Sequence, residues 1–112
     1  MDFEGRGAKR VESENLVAYR LIDKDDNTIS QGMVITLDIS KTGIAIQSKE
    51  FMESDALIEL TLGMGEEVVK ANGIVKNVKK IAENEYQIGI EFKFLTEEDL
   101  NIIGMQYPSV FK

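Results

Sequence analysis

Arg6 and Arg10 bracket the stretch "RGAKR" with the spacing R-x-x-x-R, and they are two of only three arginines in the chain. A guanidinium is a planar, permanently charged fork, able to pair bidentately with phosphate oxygens or with the O6 and N7 edge of guanine. Further along, "DISKTG" sets Asp38, Ser40 and Gly43 at the spacing D-x-S-x-x-G. Its carboxylate accepts from N–H donors, its hydroxyl adds a further hydrogen bond, and its glycine lets backbone turn or approach closely. Each cluster also has an ordinary structural reading. Charged residues near a terminus are usually solvated, and Asp, Ser and Gly commonly shape turns.

The other candidates are weaker. "DKDDN" places Asp23, Asp25 and Asn27 at the first ligand spacings of a calcium loop, but Thr28 stands where the sharp turn needs glycine and Val34 where the bidentate glutamate belongs. It reads as a solvated turn with no metal. "GMGEE" lacks the Gly-Lys-Ser/Thr ending of a phosphate loop and suits a hairpin. "KNVKK" is a second basic cluster, with Lys76 and Lys80 expected on one face and Glu83 and Glu85 near enough to neutralise them.

Composition narrows the chemistry. The 112 residues suit one domain with a real core, and the net charge of −7 opposes sequence-independent binding to a nucleic-acid polymer, which draws its affinity from excess Lys and Arg. Histidine and cysteine are both absent, removing the usual metal ligands, the usual general base and every Cys- or His-dependent nucleophile. The expectation is therefore no enzyme, no cofactor and no metal. With no apolar run near the length of a membrane span, no apolar signal core at the start and no cysteine, the expected setting is cytoplasmic, without membrane insertion.

The elements that would position these residues read mostly with a period of two. "EYQIGIEFKF" puts Tyr86, Ile88, Ile90, Phe92 and Phe94 on one face, and "MVITLDIS" does the same for Met33, Ile35, Leu37 and Ile39. Strands are expected at about 15–22, 32–39, 43–48, 56–62, 67–79 and 85–94. Six such strands with short connections suggest an all-β, closed antiparallel barrel, since closure removes exposed edges. The period then changes. "TEEDLNIIGMQY" opens with Thr96 as an N-cap and three carboxylates in the first turn, so a short α-helix should follow, with Leu100, Ile103 and Tyr107 on one face and Pro108 ending it.

R-x-x-x-R at Arg6 and Arg10, D-x-S-x-x-G at Asp38, Ser40 and Gly43, a last strand with "GIEF" at Gly89 to Phe92 and a closing helix together resemble PilZ domains, which bind the bacterial second messenger cyclic di-GMP. The resemblance covers nearly the whole chain. It implies a six-stranded PilZ-type barrel at 15–107, an arm at 1–14 that closes over ligand, and a tail at 108–112. It also implies a noncatalytic receptor whose cyclic di-GMP contacts are Arg6, Arg10, Asp38, Ser40 and Gly43. The residue before the first motif arginine is Gly5, where an additional arginine accompanies a stacked ligand pair in the family, so one ligand molecule is expected. Signalling would then pass to an effector protein in trans, in motility, adhesion or exopolysaccharide production of the kind that builds biofilm. The rival reading is a PilZ-like module that contacts protein and no nucleotide.

Overall fold

The turn residues and alternating runs fold, in the computed structural model, into seven strands and one helix among the described residues. The structure describes residues 11–12, 16–64 and 67–106. In chain order the strands are β1 (Val11–Glu12), β2 (Leu16–Ile22), β3 (Thr28–Ile39), β4 (Gly43–Ser48), β5 (Leu57–Met64), β6 (Glu67–Ala82) and β7 (Glu85–Phe94), followed by α1 (Glu97–Gln106). All pairings are antiparallel. The order runs β3-β2-β5-β6-β7-β4, and β4 pairs again with β3, closing a six-stranded barrel. This is the all-β barrel with a closing helix that the periodicity predicted.

Two differences from the sequence reading concern β1 and β3. The two-residue β1 adds to the far end of β3, with Val11 opposite Ile39 and Glu12 opposite Asp38. So short a segment carries no periodicity for sequence reading to detect. The inward face of β3 is also not the expected one. Val34 and Thr36 are buried, whereas Met33 is 58% exposed and Ile35 38% exposed. The face carrying Met33, Ile35, Leu37 and Ile39 is the more apolar one, so alternation points the wrong way until the irregularity between Thr36 and Asp38 returns Ile39 to the core.

Inside, Val17, Leu60, Leu62, Val75, Ile46 and Ile88 form part of one continuous apolar cluster, each almost wholly removed from water. Burying one such side chain stabilises by about 1.5–3 kcal/mol, which makes the barrel a rigid support for whatever lies on its outside. The helix plugs this core with Ile103, which is fully buried, and packs against β5 and β6. Its start is a reciprocal cap. The Asp99 amide donates to Thr96 Oγ1 at 3.0 Å, and the Thr96 amide donates to Asp99 Oδ2 at 3.3 Å. Leu100 is half-buried, while Tyr107 and Pro108 lie outside the described residues. No helix among those residues is long and apolar enough to cross a membrane.

Candidate functional site

Asp38 owes its position to a bulge. Ile35 and Thr36 pair with Gln47 and Ile46, but the next pairs are Asp38 with Ala45 and Ile39 with Ile44, leaving Leu37 as an extra residue on β3. In an unbroken strand Asp38 would follow Val34 and Thr36 into the barrel, where an unpaired carboxylate is costly. The bulge turns it outward instead, alongside Ala45, which lies between the inward-facing Ile44 and Ile46. Ile39, next along, regains the core at 1% exposure. Asp38 itself is only 8% exposed, sheltered although it faces outward.

The corner between β3 and β4 is built by Ser40. Its hydroxyl, in a fully buried residue, accepts from the amides of Thr42 and Gly43, both at 3.2 Å, and lies 3.4 Å from the Gly43 carbonyl. The Ser40 amide also donates to that carbonyl at 2.9 Å. The structure thus gives this hydroxyl to the backbone of the turn, so the Ser40 role visible here is to fix the corner. Gly43 has a different cause from the one its turn position suggested. A Cβ on it would stand 2.5 Å from the carbonyl oxygen of Ile90 on β7. Glycine is therefore needed for the close approach of β4 and β7, and not for a positive φ.

The outer row that begins at Asp38 continues across the sheet. Ala45 pairs with Gly89, and Gly89 with Asn77, where a second bulge at Lys76 separates the Val75–Ile90 pair from the Asn77–Gly89 pair. The result is a row of Asp38, Ala45, Gly89 and Asn77, with small residues between two polar ends. Beside its Asp38 end lies β1. Arg6 and Arg10 lie outside the described residues, but Arg10 is bonded directly to Val11, whose partner is Ile39. The structure thus brings Asp38, Ser40 and Gly43 into one corner and fastens the segment following the arginine motif to that same corner.

The third arginine is committed elsewhere. Arg20 Nε donates to Glu59 Oε1 at 3.2 Å, Nη1 donates to Thr28 Oγ1 at 2.9 Å, and Nη2 lies 3.6 Å from Asp26 Oδ1. The hydrogen bond to Glu59 is the main reason its pKa is raised further. The calcium-like loop is a turn held by its own side chain. Asp23 Oδ1 accepts from the amides of Asp25 and Asn27, each at 2.9 Å, while Asp26 takes a φ of 66°. These bonds, led by that from the Asn27 amide, hold the Asp23 carboxyl below its ordinary pKa. Among the described residues no cluster of carboxylates suits a metal ion.

The basic cluster also departs from expectation. Lys76 is itself the bulge residue, so a simple alternation from Lys76 to Lys80 does not hold. Lys80 reaches Glu83 at 3.8 Å, while Glu85 accepts from Gln47 Nε2 at 3.4 Å. "GMGEE" spans the hairpin between β5 and β6, which closes on the pair Met64 and Glu67, with Gly65 and Glu66 outside the described residues.

Solved structures share this architecture. The K. pneumonia MrkH complex with c-di-GMP superposes with a TM-score of 0.69 at 22% identity, covering 97% of this chain and 52% of that one. The Bacillus subtilis inhibitor of motility MotI/DgrA gives 0.66 at 11% identity, over 97% and 51%. The PilZ domain of CeSA from a cellulose-synthesizing bacterium gives 0.59 at 12% identity, over 90% and 97%. The chain spans about half the length of the MrkH and MotI structures. Among curated proteins none matches the sequence. The model of the PilZ domain matches residues 6–106, a span that takes in both arginines, the Asp38 corner, the whole barrel and the helix, and so the chain belongs to the PilZ domain family.

Proposed function

We propose that this protein is a noncatalytic receptor for cyclic di-GMP. The observation that carries the reading is the pairing of β1 with the end of β3, which ties the segment following Arg6 and Arg10 to the strand end bearing Asp38. One guanine then presents its N1–H and N2–H donors to the Asp38 carboxylate, while the arginine forks take phosphate oxygens and the O6 and N7 edge. Ser40 and Gly43 act by holding the corner. The arm at 1–14 closes over one ligand molecule, and the changed surface is recognised in trans by an effector protein. The domain is cytoplasmic in this reading, and its signal serves motility or biofilm formation. The family assignment and the ligand named for the MrkH complex support it.

A second reading has its own observation. Leu16 is 65% and Met33 58% exposed, on neighbouring strands, beside an open groove of about 440 Å³ that Ile35 and Gln47 also line. Such a surface suits protein contact without nucleotide. Calorimetric titration separates the two. Cyclic di-GMP should bind in preference to cyclic di-AMP, since a mismatched base costs about 1–3 kcal/mol, and in preference to GMP, which offers one guanine and one phosphate in place of two of each. Absence of heat with all three, from folded protein, would favour the interaction module. Recovery of intact ligand after binding tests the noncatalytic assignment.

A further inference from the structure

Resting on the cyclic di-GMP reading above, we propose that Asn77 is a second ligand contact on the barrel and reads its base permissively, making base selection strict at Asp38 and relaxed at Asn77. Register is the first support. Val75 faces the core and pairs with Ile90, so an unbroken β6 would turn Asn77 inward as well. The bulge at Lys76 sends it outward, just as the bulge at Leu37 sends Asp38 outward. Two independent irregularities therefore deliver two polar side chains to the same outer row, and bulges are a recurrent means of re-aiming a side chain beside a site.

The floor between them is the second support. Three inter-strand steps of about 4.8 Å separate the ends of the row by about 14 Å, and only Ala45 and Gly89 lie between. A Cβ on Gly89 would come within 2.9 Å of both Nδ2 and Oδ1 of Asn77, so the carboxamide lies over the space that glycine leaves. No hydrogen bond among the described residues takes up that carboxamide. A planar ligand lying across Ala45 from Asp38 meets this carboxamide at Gly89 with no larger side chain of the row between.

The two ends differ chemically. A carboxylate only accepts, so Asp38 requires the N1–H and N2–H donors of guanine and meets a lone pair at N1 of adenine. A carboxamide carries one acceptor and one donor group. It can accept from guanine N1–H while donating to O6, or, rotated by half a turn, donate to adenine N1 while accepting from N6–H. Asn77 thus tolerates either purine, and a mixed cyclic GMP–AMP can bind with its guanine at Asp38.

The test is calorimetric titration of the wild type, Asn77→Ala and the isosteric Asn77→Asp with cyclic di-GMP, 3′,3′-cyclic GMP–AMP and cyclic di-AMP. The wild type should bind the first two within about tenfold of each other and the third more weakly by a further factor of at least about ten. Asn77→Ala should weaken cyclic di-GMP about tenfold. Asn77→Asp should retain cyclic di-GMP and lose the mixed ligand by at least about tenfold more. If folded Asn77→Ala binds cyclic di-GMP as tightly as the wild type, Asn77 is no contact. If the wild type rejects the mixed ligand as strongly as cyclic di-AMP, or Asn77→Asp leaves the two ligands' ratio unchanged, permissive reading is wrong. Failure of the wild type to bind cyclic di-GMP removes the receptor assignment and this inference with it.

Discussion

Asp38 and Gly43 belong to one corner but respond to substitution by different routes. Asp38→Ala should leave the barrel folded, because the carboxylate faces away from the core, and should weaken cyclic di-GMP binding at least about tenfold. A charge-assisted hydrogen bond contributes about 1.5–3 kcal/mol, and a factor of ten needs only about 1.4. Arg10→Ala should do the same, and titration of each folded variant checks it. Gly43→Ala acts on stability instead. Its new methyl meets the Ile90 carbonyl at 2.5 Å, an overpacking against backbone that should lower the urea unfolding free energy by about 1–3 kcal/mol. Asp23 gives a pH signature. Its carboxyl has a folded-state pKa below 3.8, so its stabilising contribution is present above that value and disappears as pH falls through the lower, folded one. The difference in urea midpoint between wild type and Asp23→Ala should therefore shrink below about pH 4.

Strands legible from sequence were those with one apolar face. β4 and β7 begin and end where alternation placed them, since Ile44, Ile46, Ile88 and Ile90 leave little choice of inward side. β3 was legible at its end, at Ile39, but not at its start, Thr28, nor in orientation, because Met33, Ile35, Leu37 and Ile39 mimic an inward face that the bulge at Leu37 interrupts. The same blindness hid Asn77, whose direction depends on a bulge within a run that otherwise reads as a charged edge. Asp38, Ser40 and Gly43 stood out by spacing, and the bonds of the Ser40 hydroxyl to the Thr42 and Gly43 amides follow the local turn reading of that stretch, whereas the glycine's contact with Ile90 required coordinates, since that partner backbone lies on a distant strand. Deleting Leu37 tests the bulge directly. Loss of the extra residue should drive Asp38 into the barrel, where an uncompensated charge costs about 3–5 kcal/mol, and both the urea midpoint and ligand binding should fall together.

Among the described residues, closure leaves a barrel against which α1 packs and to which the short β1 adds, and the proposed signal concerns β1. If the arm closes on ligand, trypsin cleavage after Arg6, Lys9 and Arg10 should slow with saturating cyclic di-GMP, while cleavage after Lys24, in the exposed turn between β2 and β3, serves as the internal reference. Equal rates with and without bound ligand would exclude arm closure while leaving receptor function intact. Protection need only be partial, because an opened form is cut in proportion to its population. β1 is two residues long, and that brevity has a thermodynamic meaning. So few ladder bonds, on one side only, place this latch at the low end of the local-unfolding scale, where ligand can shift its population with modest binding energy. A longer latch would sit closed without the messenger and report nothing. A shorter one would reduce apparent affinity by the fraction of molecules found open. Amide exchange at Val11 and Glu12 is thus the natural readout of the signalling equilibrium, fast and ligand-sensitive where the core strands remain slow under both conditions.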